Sequence, residues 1–162
     1  GIYALLLDNQ ARDWMEDRAL DKVQYANLAV DVHHIFPKKW CDDHGIDDEH
    51  RESIVNKTAI SAVTNRTIGG AAPSSYLGVI EKRAQISSDK VDALLECHMA
   101  PTVELRADDF DGFFSARRER LCKLVEAAMG KAVPRDVASG LAEEDSAQFE
   151  TAELEELPDE TD

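Results

Sequence analysis

The spacing of apolar residues changes along this chain, and each spacing predicts a type of secondary structure. Leu7, Ala11 and Trp14 lie at helical intervals, which predicts a helix over Tyr3 to Glu16 with Trp14 in the core. The short β-branched run Ala29 to Val32 instead predicts a strand. The N-terminal part of the chain should therefore pass from a helix to a strand.

A second strand and a short helix are predicted to follow. Pro37 cannot donate a hydrogen bond to a β-ladder, so the first strand should end before it, and the polar run Cys41 to Glu52 predicts a loop. Ile54 to Ile60 resumes a strand-like pattern. Ser61 or Thr64 can begin a short helix that ends at the next pair of glycines. The predicted order is strand, loop, strand, helix.

The second half of the chain carries helical spacing. One helix is predicted to start at Pro73, where a neighbouring serine can serve as cap, and another starts near Ser88. The longest pattern begins near Asp108 or Asp109 and stops at Gly130. The residues that this spacing turns inward are Tyr76, Leu77, Ile80, Ala84, Val91, Leu94, Leu95, Phe110, Phe113, Phe114, Leu121, Leu124, Val125 and Ala128.

Together these elements predict an α+β fold in one domain, residues 1–140. A chain of that length can bury a single core, here a small strand, strand and helix unit at about 27–70 embedded in helices. Residues 141–162 differ, because they hold ten acids, no Lys or Arg and few large apolar residues. That composition predicts a disordered acidic tail.

The tail also accounts for most of the net charge of −15. Such a charge opposes nucleic-acid binding, which depends on attraction to phosphate. Without the ten tail acids, 23 of the 33 acids remain against 18 bases, a net charge of −5. The folded part can therefore still be locally basic, and the predicted DNA-contacting bases, which lie in or beside the strand and helix unit, are Lys38, Lys39, Lys57 and Arg66. A second basic group, Arg117, Arg118, Arg120 and Lys123, is either a DNA contact or a solvated helix face.

Residues suited to phosphodiester hydrolysis are concentrated in the strand and helix unit. His33 and His34 follow the first strand, Asn56 lies in the second and Asn65 in the helix. A neutral imidazole can accept a proton from water at physiological pH. An imidazole nitrogen with an amide oxygen leaves most of the coordination sphere of a divalent cation to water and phosphate. Both asparagines can equally be turn or cap residues.

Four short signatures occur in order along this region. They are HHIFP at His33 to Pro37, SIxNKT at Ser53 to Thr58, TNxxIGG at Thr64 to Gly70 and PSxYL at Pro73 to Leu77. The segment resembles the ββα-metal motif of HNH endonucleases. It is most similar to the nuclease domain at the C-terminal end of GmrSD-type, modification-dependent (type IV) restriction enzymes of bacteria.

The resemblance implies a role for each polar residue. His33 would be the first metal ligand and Asn65 the second, His34 the general base, and Asn56 the residue that holds the loop orienting His34. The expected metal is Mg²⁺, with Mn²⁺, Ni²⁺ or Zn²⁺ as substitutes. Asp31 shares a face with His33 in a regular strand. It is therefore a candidate to accept a hydrogen bond from the imidazole and so to orient it toward the metal. His44 and His50 stay open as further ligands.

The implied activity is divalent-metal-dependent cleavage of DNA, foreign or modified, in anti-phage defence. Because the chain begins at Gly1 without Met, we expect a fragment of a longer protein. The resemblance implies that an N-terminal part of that protein recognises DNA or regulates the nuclease. Three cysteines without a CxxC pair favour a reducing cytoplasm and argue against a structural zinc ribbon. The apolar run Ile2 to Leu7 is too short to cross a membrane.

Two other classes of function stay open. One is a catalytically silent DNA-binding or regulatory module that keeps the HNH fold. The other is a protein-interaction domain in which the histidines hold a structural metal.

Overall fold

The computed structural model describes residues 1–16, 20 and 30–135, and it has a small two-stranded sheet among helices. The predicted α+β class is confirmed. The predicted tail, residues 141–162, lies outside the described residues.

In chain order the elements are α1 (Ile2–Asp8), β1 (Val30–His34), α2 (Lys38–Asp43), α3 (Asp48–Glu52), a 3₁₀ turn (Ile54–Asn56), β2 (Lys57–Ser61), α4 (Ala62–Ile68), α5 (Pro73–Ala84), α6 (Ser88–Cys97), α7 (Thr102–Arg106) and α8 (Phe110–Met129).

The two strands pair in antiparallel register, and a helix follows them at once. Val30 lies opposite Ser61, and His34 lies opposite Lys57. The Ser61 hydroxyl accepts a hydrogen bond from the Thr64 amide at 3.2 Å and so caps α4. Gly69, at a positive φ of 55°, ends the helix. The predicted succession of strand, strand and helix is confirmed.

The predicted loop from Cys41 to Glu52 was wrong, because this stretch contributes to two short helices. Trp40 and Cys41 are buried on α2, and Asp47 caps α3 by accepting a hydrogen bond from the His50 amide at 2.9 Å. The high polarity of the segment reflects caps and ion pairs between residues four apart, which stabilise helices and do not require a loop.

Two other boundaries also differ from the prediction. The first helix ends at Asp8 and does not reach Glu16, because Gln10 adopts a positive φ of 62°. Residues 54–56 form a 3₁₀ turn, capped by the side chain of Ser53, and the second strand begins only at Lys57. The predicted place of Trp14 in the core is confirmed, since its ring is buried and stacks on that of Tyr76.

The later helices agree with the apolar spacing, with some differences at their ends. Pro73 is the first residue of α5, and no serine caps this helix because the N-cap position is Ala72. Ser74 hydrogen-bonds to Asp108 through both its amide and its hydroxyl. Asp109 caps α8. Among the residues predicted to point inward, Ala128 is exposed. The short helix α7 was not predicted.

The aromatic residues join the helices to the end of β1. Phe36 is buried, with ring centroids 4.8 Å from Trp40, 5.0 Å from Phe113 and 5.2 Å from Phe110. The Tyr76 hydroxyl donates to the Ile35 carbonyl at 2.9 Å. The segment that follows His34 is therefore anchored in the core. No helix in the described part of the chain is long and apolar enough to cross a membrane.

Three buried polar side chains from other parts of the chain form hydrogen bonds with β2. The first is that of Asp13. Its carboxylate accepts hydrogen bonds from the Ser61 amide at 2.8 Å and the Thr64 hydroxyl at 2.7 Å. It also accepts from the amides of Met15 and Glu16. Burial raises the pKa of Asp13, but these four hydrogen bonds outweigh burial and place the pKa below its ordinary value.

The second is His98, which links β2 to the N-terminal segment. Its Nε2 lies 2.8 Å from the Arg12 carbonyl, which can only accept, so Nε2 carries the proton. Its Nδ1 then accepts from the Thr58 hydroxyl at 2.8 Å. Burial lowers the pKa of His98 to about 4, so the ring is neutral at physiological pH.

The third is Arg117, which the sequence placed in a basic surface group. This assignment was wrong, because the guanidinium is fully buried and donates to the carbonyls of Val55, Lys57 and His98. Apolar spacing alone cannot distinguish a buried arginine from a solvated one. A long side chain with five donors can satisfy several carbonyls that would otherwise be buried without a partner.

Replacing Arg117 with Met should lower the free energy of unfolding by roughly 2–5 kcal/mol, because buried carbonyls lose their donors. The measurement is urea denaturation followed by circular dichroism. The control is Arg118→Met on the exposed face of α8, with an expected change within about 0.5 kcal/mol. Equal stability of the two variants would contradict the conclusion that the hydrogen bonds of Arg117 to buried carbonyls stabilise the fold.

His98 should make the fold sensitive to mild acid. Its folded pKa of about 4 lies below the ordinary value of 6.5, so between these pH values only the unfolded chain binds the proton. The stabilisation is fully present above about pH 6.5 and falls by roughly 3 kcal/mol as the pH drops toward 4. Urea denaturation at several pH values measures this slope.

The matched variants are His98→Gln, which should lose that part of the slope, and His50→Gln, which should retain it because His50 is exposed. The same slope in His98→Gln and the wild type would show that another group is responsible.

Candidate functional site

The two adjacent histidines lie at the end of β1, opposite the first residues of β2. His33 pairs across the sheet with Thr58, and His34 pairs with Lys57. Both histidines are half-buried. The Nε2 atom of His34 lies 3.2 Å from Oε2 of Glu52, the last residue of α3. The site therefore includes a carboxylate from the segment that was predicted to be a loop.

Asn56 is fully buried, and its side chain fixes the main chain just beyond His34. Its Oδ1 accepts from the Phe36 amide at 2.9 Å, and its Nδ2 donates to the Phe36 carbonyl at 3.1 Å. Nδ2 also donates to the Arg51 carbonyl at 3.0 Å. The main-chain carbonyl of Asn56 accepts from the Ile35 amide at 2.8 Å. The Asn56 side chain therefore joins the main chain at Phe36 to that at Arg51.

Asn65 lies on α4, which packs against both strands. Its side chain is half-buried and makes no hydrogen bond within the part of the chain that the structure describes. Its main-chain carbonyl accepts from the Gly69 amide at 3.1 Å, as a residue near a helix end does. The side chain of Asn65 is therefore not used as a cap, which leaves its amide oxygen available for a ligand role.

The residues predicted to bind a divalent cation are few. Among the described residues, no group of three or more His, Cys, Asp or Glu side chains is arranged to hold a metal ion. The predicted pair, His33 and Asn65, supplies one imidazole and one amide oxygen. Two such donors would leave most of the coordination sphere to water, as Mg²⁺ requires, and would be too few for a tightly held structural metal. The side chain of Asp31 lies outside the described residues, and only its main chain is placed, opposite Ile60.

Three of the four predicted DNA-contacting bases form ion pairs. Lys38 pairs with Asp42 at 2.7 Å, Lys39 with Asp43 at 2.5 Å, and Lys57 with Glu52 at 2.8 Å. The fourth, Arg66, is exposed on α4 and has no carboxylate partner among residues 1–16 and 30–135. The surface is thus less basic than the sequence suggested.

Glu52 is the centre of a charged network that sequence reasoning missed. Lys57 donates to its Oε2, and Arg51 donates to its Oε1 at 3.0 Å. These hydrogen bonds, led by the one from Lys57, lower the pKa of Glu52 to about 2. The carboxylate is therefore ionised throughout the physiological range. A helix over 48–52, signalled by Asp47 as its cap, was the feature that could have revealed this network.

The other two histidines of this region make local contacts. His44 stacks on Trp40 with ring centroids 3.9 Å apart, and its Nδ1 donates to the Trp40 carbonyl at 2.7 Å. His50 donates from Nδ1 to Asp47 and packs against Phe114. Both rings thus have structural contacts of their own.

Comparisons with known proteins give one relative without an assigned activity. The chain is 33% identical, over 105 residues, to the uncharacterized protein MJ0686 of Methanocaldococcus jannaschii. The match covers 60% of this chain and 17% of that protein, so the chain spans about a sixth of its relative. No family model matches the chain. No solved structure matches it either.

Replacing Asn56 with Asp should lower the free energy of unfolding by roughly 2–4 kcal/mol although the shape is kept, because a carboxylate oxygen would face the carbonyls of Phe36 and Arg51. Chemical denaturation at neutral pH is the measurement. Asn65→Asp, at a half-buried side chain without these hydrogen bonds, is the matched control and should change stability by about 0.5 kcal/mol or less. Similar losses in both variants would contradict the distinct roles of the two asparagines.

Proposed function

We propose that this domain is a divalent-metal-dependent DNA endonuclease of the HNH type. The observation that carries the proposal is the position of Asn56, whose side chain clamps Phe36 two residues beyond His34 in a strand, strand and helix unit. This is the role that the resemblance to HNH endonucleases implies for Asn56. A buried amide with three main-chain partners can fix the path of a histidine-bearing loop.

In the proposed reaction, His34 takes a proton from the attacking water. His33 and Asn65 would hold Mg²⁺, or Mn²⁺, Ni²⁺ or Zn²⁺ in its place. A cation held there would supply positive charge that offsets the negative charge of the phosphodiester transition state. Asn56 keeps the backbone after His34 in place, and Arg66, which is exposed and has no carboxylate partner among the described residues, would contact the DNA backbone.

The wider role of the protein is part of the same proposal. Following the resemblance to GmrSD-type enzymes, the DNA substrate is foreign or modified, and the setting is antiviral restriction in the cytoplasm. Recognition and control then belong to an N-terminal domain outside this chain. The three unpaired cysteines agree with a reducing compartment.

A second candidate is a silent DNA-binding or interaction module that keeps the fold. The observation favouring it is that Lys38, Lys39 and Lys57 form ion pairs with acids of the same region, which weakens attraction to phosphate. In that case the histidines serve only packing or a structural metal.

Cleavage of supercoiled plasmid distinguishes these candidates. The wild type should convert it to nicked or linear DNA in Mg²⁺ or Mn²⁺, and a chelator should stop the reaction. His34→Ala, shown to be folded by circular dichroism, should lose activity by about 10²–10⁴-fold because the general base is gone. His50→Ala, at an exposed histidine of α3, is the control and should keep the wild-type rate.

Undiminished cleavage by folded His34→Ala would refute the assigned base. Unchanged plasmid with every metal, for this chain and for the longer protein that contains it, would refute the nuclease and favour the silent module.

A further inference from the structure

We propose that Glu52 is a positioning residue that fixes the tautomer and ring orientation of His34, leaving Nδ1 as the atom that accepts the proton. The catalytic consequence of this inference rests on the proposed function. The structural part does not, because it concerns only which nitrogen of His34 carries hydrogen.

The assignment follows from the atoms in contact. Nε2 of His34 lies 3.2 Å from Oε2 of Glu52, and an ionised carboxylate can only accept hydrogen bonds. Nε2 must therefore be the protonated nitrogen when the ring is neutral. The lone pair then resides on Nδ1, which faces away from the carboxylate. A base that takes a proton from water needs such a lone pair.

The carboxylate is itself held from both sides. Lys57 reaches the same Oε2 at 2.8 Å, and Arg51 donates from Nε to Oε1 at 3.0 Å. Lys57 is also the cross-strand partner of His34. The carboxylate thus cannot rotate away from the imidazole without losing one of two charge-assisted hydrogen bonds.

Arg51 connects Glu52 to the buried side chain of Asn56. Arg51 pairs through Nη1 with Asp42 at 2.6 Å and Asp48 at 2.8 Å, while its carbonyl accepts from the Asn56 side chain. Asn56 thus fixes the main chain of both segments, the one after His34 and the one that carries Glu52. One buried amide thus ties together the two segments that bring the imidazole and the carboxylate near each other.

A plain surface ion pair is the rival explanation. The side chains of His34 and Glu52 are 25% and 42% exposed, and pairs at that exposure contribute little to stability. Stability therefore cannot discriminate between the two explanations. The discriminating quantity is the tautomer of His34. A surface pair that breaks and re-forms in solvent would leave both neutral tautomers populated, whereas a fixed contact keeps hydrogen on Nε2.

The test is ¹⁵N NMR of the imidazole of His34 at a pH where the ring is neutral, in the wild type, Glu52→Ala, Glu52→Gln and Glu49→Ala. Glu49 lies exposed on the same helix and is the matched control. The wild type and Glu49→Ala should show a single tautomer with hydrogen on Nε2. Glu52→Ala should show a mixture, and Glu52→Gln, which keeps an acceptor oxygen, should restore most of the Nε2–H form.

Plasmid cleavage supplies the catalytic readout. Glu52→Ala should lower kcat by about 10- to 100-fold, a part of the ~10²–10⁴-fold that a positioned general base contributes, because a fraction of His34 would then carry hydrogen on Nδ1. Its KM for DNA should stay the same or fall, because a negative charge near phosphate has been removed. A residue that merely stabilised the fold would not give this combination of lower kcat and retained affinity.

The outcomes separate the two proposals. An identical tautomer population in Glu52→Ala and the wild type overturns the positioning role, whatever the cleavage result. A changed tautomer in a protein that cleaves no DNA supports the positioning role while the proposed nuclease fails. A changed tautomer with unaltered kcat overturns the catalytic consequence.

Discussion

The buried guanidinium of Arg117 is the contact on which the geometry of the site depends. Its hydrogen bonds reach the carbonyls of Val55 and Lys57, the two residues on either side of Asn56. Burial lowers its pKa to about 9, which still leaves it protonated at neutral pH. A charged group in the core is costly unless its donors are satisfied, and here main-chain carbonyls satisfy them. The long helix α8 thereby fixes the backbone that presents Asn56.

The side chain of Asn56 in turn fixes the main chain that follows the two histidines. The side-chain amide holds Phe36 through both its amide and its carbonyl, and the aromatic core around Phe36 prevents that segment from shifting. Asp13 and His98 tie β2 to the N-terminal segment. The buried side of the sheet is thus rigid and nearly neutral, whereas its accessible edge carries His34, Glu52 and Lys57. Rigid support beneath exposed polar groups is the arrangement that catalysis requires.

Much of this architecture could be predicted from local chemistry. Ser61, Gly69, Pro73 and Gly130 act through conformational preferences that depend on few neighbours, so the boundaries they mark were close to those observed. The stretch from Cys41 to Glu52 was misassigned because its acids act as caps and ion-pair partners in helices of only five or six residues. Apolar spacing is too weak a signal in elements that short.

The contacts around the site were harder to predict for a different reason. Asn56 was found because it belongs to a signature, but Arg117, His98 and Asp13 act on β2 from positions 40 to 60 residues away. Their residue types suggest surface positions, and only tertiary packing shows that they are buried. Glu52 was missed for a related reason, because its meeting with His34 depends on how α3 folds back toward β1.

The central claim is that the end of β1 and the helix α4 form one cation site, and paramagnetic NMR tests it most directly. Mn²⁺ added in small amounts should broaden the side-chain signals of His33, His34 and Asn65 before all others, and His33→Ala should abolish the effect. Broadening confined to the acidic residues 141–162, with the signals of His33 and Asn65 unaffected, would contradict the account.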